Sequence, residues 1–190
     1  MPTTSSVRVR KQLTQPWFDI RRSSIQGRGA FAVRAIPKGT RLIEYTGERI
    51  GHARFDVRHA REARARRHHT FLFMATRRTV VDSRVQGNEA KYINHSCDPN
   101  CRSVIEKGRI YIETRKAIRK GQELGYDYSY RRGGTETAAD EARYSCLCGT
   151  KKCRGSILEP KAEARPERSS VKSRKVVSRD TASAKKTTRR

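Results

Sequence analysis

Acidic residues are scarce in this sequence: 19 Asp and Glu stand against 44 Lys and Arg in 190 residues, a formal net charge of +25. So large an excess draws polyanions, whether nucleic acid, anionic lipid or an acidic protein surface. Apolar residues are scarce too, 34% against 33% charged. That is too few to pack the whole chain, so part of it is expected to be disordered. No run approaches the ~18 apolar residues of a membrane span. The Ser/Thr/Arg-rich N-terminus lacks the apolar core of a secretory signal. These absences imply an intracellular protein with no membrane partner, in which thiols stay reduced and clustered cysteines bind metal more often than they pair. The five cysteines, Cys97, Cys101, Cys146, Cys148 and Cys153, are an odd number, which excludes complete internal disulfide pairing. A full G-x-G-x-x-G and a Gly-Lys-Ser/Thr P-loop are also missing, so Gly27-Arg28-Gly29 reads first as a hairpin turn.

The length suits one domain with tails. Residues 1–15 read as a disordered basic N-terminus and 16–130 as the main domain. Residues 131–144 read as a linker loop, 145–160 as a cysteine-bearing segment and 161–190 as a disordered basic tail. That tail holds 11 Lys and Arg against 3 Asp and Glu, a local charge of +8 (11 − 3), with no apolar periodicity. It is a candidate DNA contact. Strands are expected near 17–20, after Gly29, over 41–50, and at 71–74 and 79–82 about Arg77-Arg78. A hairpin is expected at 102–105 and 109–114 about Lys107-Gly108. Ile118 to Leu124 reads as a turn into a further strand. Residues 52–69 alternate Arg with Ala and predict an exposed helix with a solvated basic face. Its histidines, His52, His59, His68 and His69, lack cysteines or carboxylates at ligand spacing. Many short strands and few short helices make a mostly-β fold.

Three constellations carry chemistry. Cys146, Cys148 and Cys153 lie within eight positions, one thiol short of a closed tetrahedral zinc site. The fourth ligand must come from elsewhere, with Cys97 and Cys101 as candidates. Lys151, Lys152 and Arg154 are expected to favour the ionised thiols. Second, residues 89–101 crowd Asn94, His95, Ser96, Cys97, Asp98, Pro99 and Asn100 into one run behind apolar Tyr92-Ile93. Such residues favour turns over helix interiors or central strands. Third, six of the seven tyrosines are Tyr45, Tyr92, Tyr126, Tyr128, Tyr130 and Tyr144. Tyrosines converging on one slot would suit an aliphatic amine or a sulfonium.

The chain resembles a SET-domain protein lysine methyltransferase with a cysteine-rich post-SET segment, over roughly residues 17–158. The matching runs stand in family order. They are Gly27-Arg28-Gly29 with Ala30-Phe31, and Glu44-Tyr45-Thr46-Gly47-Glu48. Tyr92 through Asn100 follows, then Glu123-Leu124-Gly125-Tyr126-Asp127-Tyr128, then Cys146-x-Cys148 with Cys153-Arg154-Gly155. The resemblance implies small curved β-sheets with a threaded C-terminal loop. It implies S-adenosylmethionine against Gly27, Arg28, Gly29, Tyr45, Asn94, His95 and Leu147, with the contacts of Asn94 and His95 made largely through backbone. Zn2+ would be held by Cys97, Cys146, Cys148 and Cys153, leaving Cys101 free. Tyr128, Tyr45 and Tyr126 would be catalytic, the tyrosine at 126 resembling members that stop at mono- or dimethylation. The substrate implied is the ε-amine of a lysine in a histone or histone-like basic protein.

Some positions depart from the family pattern. Phe71 stands where many members have tyrosine, Lys91 where arginine is usual and Gly125 where threonine is usual. No cysteine cluster precedes residue 17, so a pre-SET zinc cluster is absent. That compactness also suits a bacterial member, which leaves chromatin in a nucleus and a bacterial nucleoid both open as locations. The alternative function is a non-catalytic chromatin- or nucleoid-binding module on the same scaffold.

Overall fold

The computed structural model describes residues 16–64, 71–132 and 137–160. The expectations for 1–15, for the end of the 52–69 helix and for the basic tail lie outside these residues. In chain order the strands are β1 (Phe18–Arg22), β2 (Arg28–Ala32), β3 (Arg41–Tyr45), β4 (Glu48–Ile50), β5 (Leu72–Thr76) and β6 (Thr79–Asp82). They continue with β7 (Asn94–His95), β8 (Cys101–Glu106), β9 (Arg109–Thr114) and β10 (Gly125–Tyr126). Helix α1 (His52–Arg64) lies between β4 and β5, a 3-10 turn (Glu89–Tyr92) precedes β7, and α2 (Ala138–Arg143) follows β10.

These strands make four small sheets: β1-β2, β3-β9-β8, β4-β6-β5 and the parallel pair β7-β10. The β8–β9 hairpin falls where its alternation predicts. Lys107 at φ 48 and Gly108 at φ 75 are both left-handed, the turn whose twist matches flanking strands. The single strand expected over 41–50 is two strands. β3 pairs with β9, whereas β4 pairs with β6 in another sheet. The chain switches sheets at Gly47, where a Cβ would stand 2.4 Å from the Asp82 carbonyl oxygen, closer than any side chain tolerates.

The helix expected from residue 52 forms, but its basic face is only partly solvated. Arg58 bonds Glu48 and the buried Asp82 at 2.7 Å each, and Arg54 bonds Glu48 at 3.2 Å. Burial raises the Asp82 carboxyl, but hydrogen bonds from Arg84 and Arg58 outweigh it and hold the group below the usual carboxylate range. Inside the stretch read as a loop, Ala138-Ala139-Asp140-Glu141-Ala142-Arg143 forms α2; these are mostly good helix formers whose run is too short to show periodicity.

The core has two parts. Ile36, Ile93, Cys101, Ile112, Ile118, Leu124 and Tyr126 fill one, and Tyr45, Ala75, Val81, Ala90 and Ile110 fill the other. Cys101 is fully buried in the first, and burial pushes its thiol up to about 12. It is a packing residue.

Candidate functional site

The site is built where β7 and β10 lie side by side, Asn94 opposite Gly125 and His95 opposite Tyr126. Two residues of strand fit inside the turn-rich run because each partner is fixed by side chains. The Asn100 amide donates to the Glu123 carbonyl at 2.8 Å and its oxygen accepts from Gly125 N–H at 2.9 Å. A Cβ on Gly125 would stand 3.0 Å from that of Ser96, which accounts for glycine at this position.

On one side the pair reaches the 23–29 loop. The Asn94 amide donates to the Arg28 carbonyl at 3.0 Å and to Glu123 Oε1 at 2.8 Å. The Ser23 hydroxyl donates to the same carboxylate at 2.8 Å. Gly27 at φ 45 and a Ser23 N–H bond to its carbonyl, 3.0 Å, close the loop. Gly29 has no room for a side chain, since a Cβ would lie 2.2 Å from Glu123 Oε1. The loop is therefore an anchored backbone element. The Asn94 side chain is spent on fixing it, and that of Arg28 lies over the Tyr92 ring at 4.6 Å.

On the other side the pair reaches the tyrosines. The Tyr128 hydroxyl donates to the Ile93 carbonyl at 3.0 Å, and the Tyr45 hydroxyl to the Phe71 carbonyl at 2.9 Å. The Tyr126 ring lies 4.8 Å from that of Tyr128 and 6.1 Å from that of Phe73. Tyr130 and Tyr144 continue the row at 6.2 and 6.0 Å. Burial pushes the phenols of Tyr45, Tyr126 and Tyr128 well above their ordinary value, so they stay neutral. The row opens on a cleft of about 620 Å³ whose lining includes Phe55, His59, Phe73, Tyr126, Tyr128 and Leu158. Phe55 and His59 stack at 5.4 Å on α1. The sequence reading missed these two, which a helix bearing an aromatic and a histidine four apart could have suggested.

His95 connects the tyrosines to the cysteines. Its Nδ1 accepts from Tyr128 N–H at 3.1 Å, which leaves the proton on Nε2, facing Cys97 Sγ at 3.3 Å. Burial pushes the ring down to about 4, so it is neutral at physiological pH and Asp127 near it makes no ion pair.

The thiols of Cys97, Cys146, Cys148 and Cys153 all lie within 4.8 Å of one another. Cys97 and Cys146 are 3.7 Å apart, close to the ~3.7 Å edge of a tetrahedron with Zn–S bonds of ~2.3 Å. The donor set and spacing fit zinc, and the fourth thiol is Cys97. Burial would raise Cys148, but the Thr150 hydroxyl and nearby hydrogen bonds bring it down to about 6. The Arg154 charge bears on Cys97 and Cys146 as expected, but its main partner is Asp127. Its guanidinium makes a two-bond pair with Asp127, 2.7 and 2.8 Å, and only its backbone N–H points to Cys97 Sγ, at 3.5 Å. Leu147, between two of the cysteines, exposes 68% of its surface, an apolar side chain available to cover a flat ligand. A second, polar cleft of about 560 Å³ lies between Ser24-Ile25, Ser96, Asn100 and Cys148-Thr150.

The structure thus gathers the predicted residues into one assembly: loop 27–29, Asn94, His95, the three tyrosines and the four cysteines. It adds Glu123 and Asp127, which the motifs contain but to which the sequence gives no role, and it ties Arg154 to Asp127. Among the described residues no helix is long and apolar enough to cross a membrane.

Comparison with known proteins gives the family. The SET domain family model matches residues 27–129. The H3 lysine-4 specific histone-lysine N-methyltransferase of Saccharomyces cerevisiae is 37% identical over 140 residues, 72% of this chain and 13% of that protein. Its counterpart in Chaetomium globosum is 37% identical over 142 residues, with the same shares. Histone-lysine N-methyltransferase trr of Drosophila melanogaster is 36% identical over 153 residues, 76% of this chain and 6% of that protein. The chain therefore spans 13% or less of the length of these relatives, and they lend no support to a bacterial source. With its glycine loop, Asn94-His95 strand and Tyr126–Tyr128 motif in family order, and with relatives of this similarity, the chain belongs to the SET-domain family.

Proposed function

We propose that this protein transfers a methyl group from S-adenosylmethionine to the ε-amine of a lysine in a histone or histone-like basic protein, one or two methyls per lysine. The observation that carries this reading is the row of neutral, buried tyrosines at the floor of a cleft, directly behind the Asn94–His95 strand.

Methyl transfer needs a neutral amine, whereas a free lysine has a pKa of about 10.4. An aromatic, water-poor channel disfavours the ammonium and lowers that value. The amine loses its proton to solvent before it seats, so no protein base is needed. Tyr128, its hydroxyl already aligned by the Ile93 carbonyl, orients the amine. Tyr45 walls the channel. Tyr126 makes no hydrogen bond through its hydroxyl among the described residues, which leaves that group to hold a water and limit room for a third methyl.

S-adenosylmethionine, when bound, supplies an electrophilic methyl on a sulfonium. The residues to hold it are the backbone of Gly27, Arg28 and Gly29, together with Asn94, His95 and Leu147. Asn94 acts by fixing the Arg28 carbonyl. The His95 ring, engaged by Tyr128 N–H and Cys97, leaves its backbone for the contact. Zinc on Cys97, Cys146, Cys148 and Cys153 would lock the Leu147 segment against this strand. An intracellular site on chromatin follows from the substrate class.

Labelled-methyl transfer onto a panel of histones and nucleoid proteins tests the reading, with Tyr128→Phe as control and mass spectrometry counting methyls. No transfer to any of them, together with no calorimetric binding of cofactor, would leave the non-catalytic scaffold instead.

A further inference from the structure

Several arginines on the folded domain answer to a carboxylate. Arg41 pairs with Glu106 and Glu113, Arg58 with Glu48 and Asp82, Arg109 with Glu44, and Arg154 with Asp127. One face gathers cations with few such partners. The loops 33–38 and 115–121 carry Arg34, Lys38, Arg115, Lys116, Arg119 and Lys120, all exposed. Lys116 reaches Asp98 at 3.4 Å. The side chains of Lys38, Arg115, Arg119 and Lys120 bond no carboxylate among the described residues. Arg34 lies over the Trp17 ring at 4.0 Å.

These charges are held together rather than left to spread. Ile36 and Ile118 exchange two backbone hydrogen bonds of 2.9 Å and are buried in the core. The Gly121 N–H donates to the Ala32 carbonyl at 2.7 Å and that of Arg115 to the Asn100 carbonyl at 2.9 Å. The antiparallel bridge at Ile36–Ile118 sets the two basic runs edge to edge. Like charges facing across such a pair repel and cost stability. A rigid backbone holding exposed cations side by side is complementary to a line of phosphates.

We propose that this face docks double-stranded DNA through its phosphate backbone, without reading sequence. A protein partner's core contact would call for exposed apolar or aromatic anchors. Between the cations here stand only Ala35, Pro37 and Ala117, and Ile36 and Ile118 point inward. A single strand would call for aromatic platforms, and Trp17 is covered by Arg34. The inference does not depend on the methyl-transfer reading, and it concerns a surface of the domain rather than the basic tail.

The test uses the full chain and a random-sequence 24-base-pair duplex, with binding followed against salt. Removing one cation that neutralises a phosphate reduces the slope of log K against log salt by about 0.9. Replacing Lys38, Arg115, Arg119 and Lys120 by Gln is expected to make the slope shallower by about 3 to 4. A control replaces Arg61, Arg77, Arg78 and Lys107, also exposed and equal in charge, and is expected to change the slope by less than one. Equal losses in the two variants would mean that only net charge is sensed, and would overturn the proposal. So would an unchanged slope in the first variant, or a larger effect of its four substitutions on an RNA duplex than on DNA. Thermal melts of both variants check that neither is unfolded.

Discussion

At the scale of single residues, the side chains divide into those that hold others in place and those left to meet substrate. Tyr128 is both. Its hydroxyl is fixed on the Ile93 carbonyl at 3.0 Å and its backbone N–H on His95, so the ring has one position in the cleft. Tyr128→Phe removes one hydrogen bond, worth about 1 kcal/mol of stability. Misalignment of an in-line displacement costs far more, on the order of 100-fold in rate. A melt shifted by a few degrees beside a collapse in labelled-methyl transfer is the expected pair of results; equal activity would remove Tyr128 from the chemistry. The pH profile follows from the same residues. Burial raises the phenols of Tyr45, Tyr126 and Tyr128, and it lowers His95 to about 4. None of these groups changes charge between pH 7 and the ordinary phenol range. The remaining titration is the substrate amine, which must lose its proton. The rate on a peptide, kcat/KM, is therefore expected to climb about tenfold per pH unit from 7 to 9 without a plateau. A plateau below pH 8 would show a protein group in control.

At the scale of elements, the site depends on contacts between segments far apart in sequence. Gly29 in β2 lies against Glu123 just before β10, with 2.2 Å between a hypothetical Cβ and the carboxylate. Gly29→Ala must push Glu123 away from Ser23 and Asn94. The cost expected is about 1–3 kcal/mol from overpacking, with loss of cofactor binding by calorimetry; a variant that binds normally would show that the loop has slack. Asp127 works the same way at the other end. It accepts Ser129 N–H at 2.9 Å, turning the chain after Tyr128, and takes both Arg154 bonds. Burial raises its carboxyl, but Arg154 and Ser129 outweigh that and hold it low. Its contribution is thus present above the unfolded carboxylate pKa and lost as pH falls through the lower folded value. Asp127→Asn should loosen the cysteine segment at neutral pH, read as faster metal loss to a chelator, with melting of the main sheets little changed. These ties explain what the sequence could and could not tell. Alternating apolar residues placed the β8–β9 hairpin, short apolar runs about Arg77-Arg78 placed β5–β6, and turn residues placed the 89–101 run. The break between β3 and β4 was invisible, because Thr46-Gly47 looks like strand interior until Asp82 is beside it. The Asp127–Arg154 pair spans 27 positions and has no local signature, and α2 is too short to show a period.

At the scale of the whole molecule, two sources of order meet at the cysteines. The sheets β3-β9-β8 and β4-β6-β5 enclose the buried isoleucines and valines and need nothing from residues 145–160. The cysteine segment has few supports of its own. Ser145 bridges Ser156, Tyr130 bridges Leu158, and the Cys146 N–H bonds the Gly155 carbonyl at 3.0 Å. Only Ser156, Ile157 and Leu158 in it are buried. Too little apolar surface is removed from water here to offset the backbone entropy of ordering the segment, so a metal on the four thiols is expected to supply the balance. Chelation should therefore unfold locally. Amide hydrogen exchange is expected to accelerate in 145–155 and in the backbone of His95 and Cys97, while β8, β9 and β6 keep their protection. Methyl transfer should fall with metal content and return when zinc is restored. Acceleration spread evenly over the domain would mean that the cysteines stabilise the whole fold, and no acceleration anywhere would mean that they bind no structural metal.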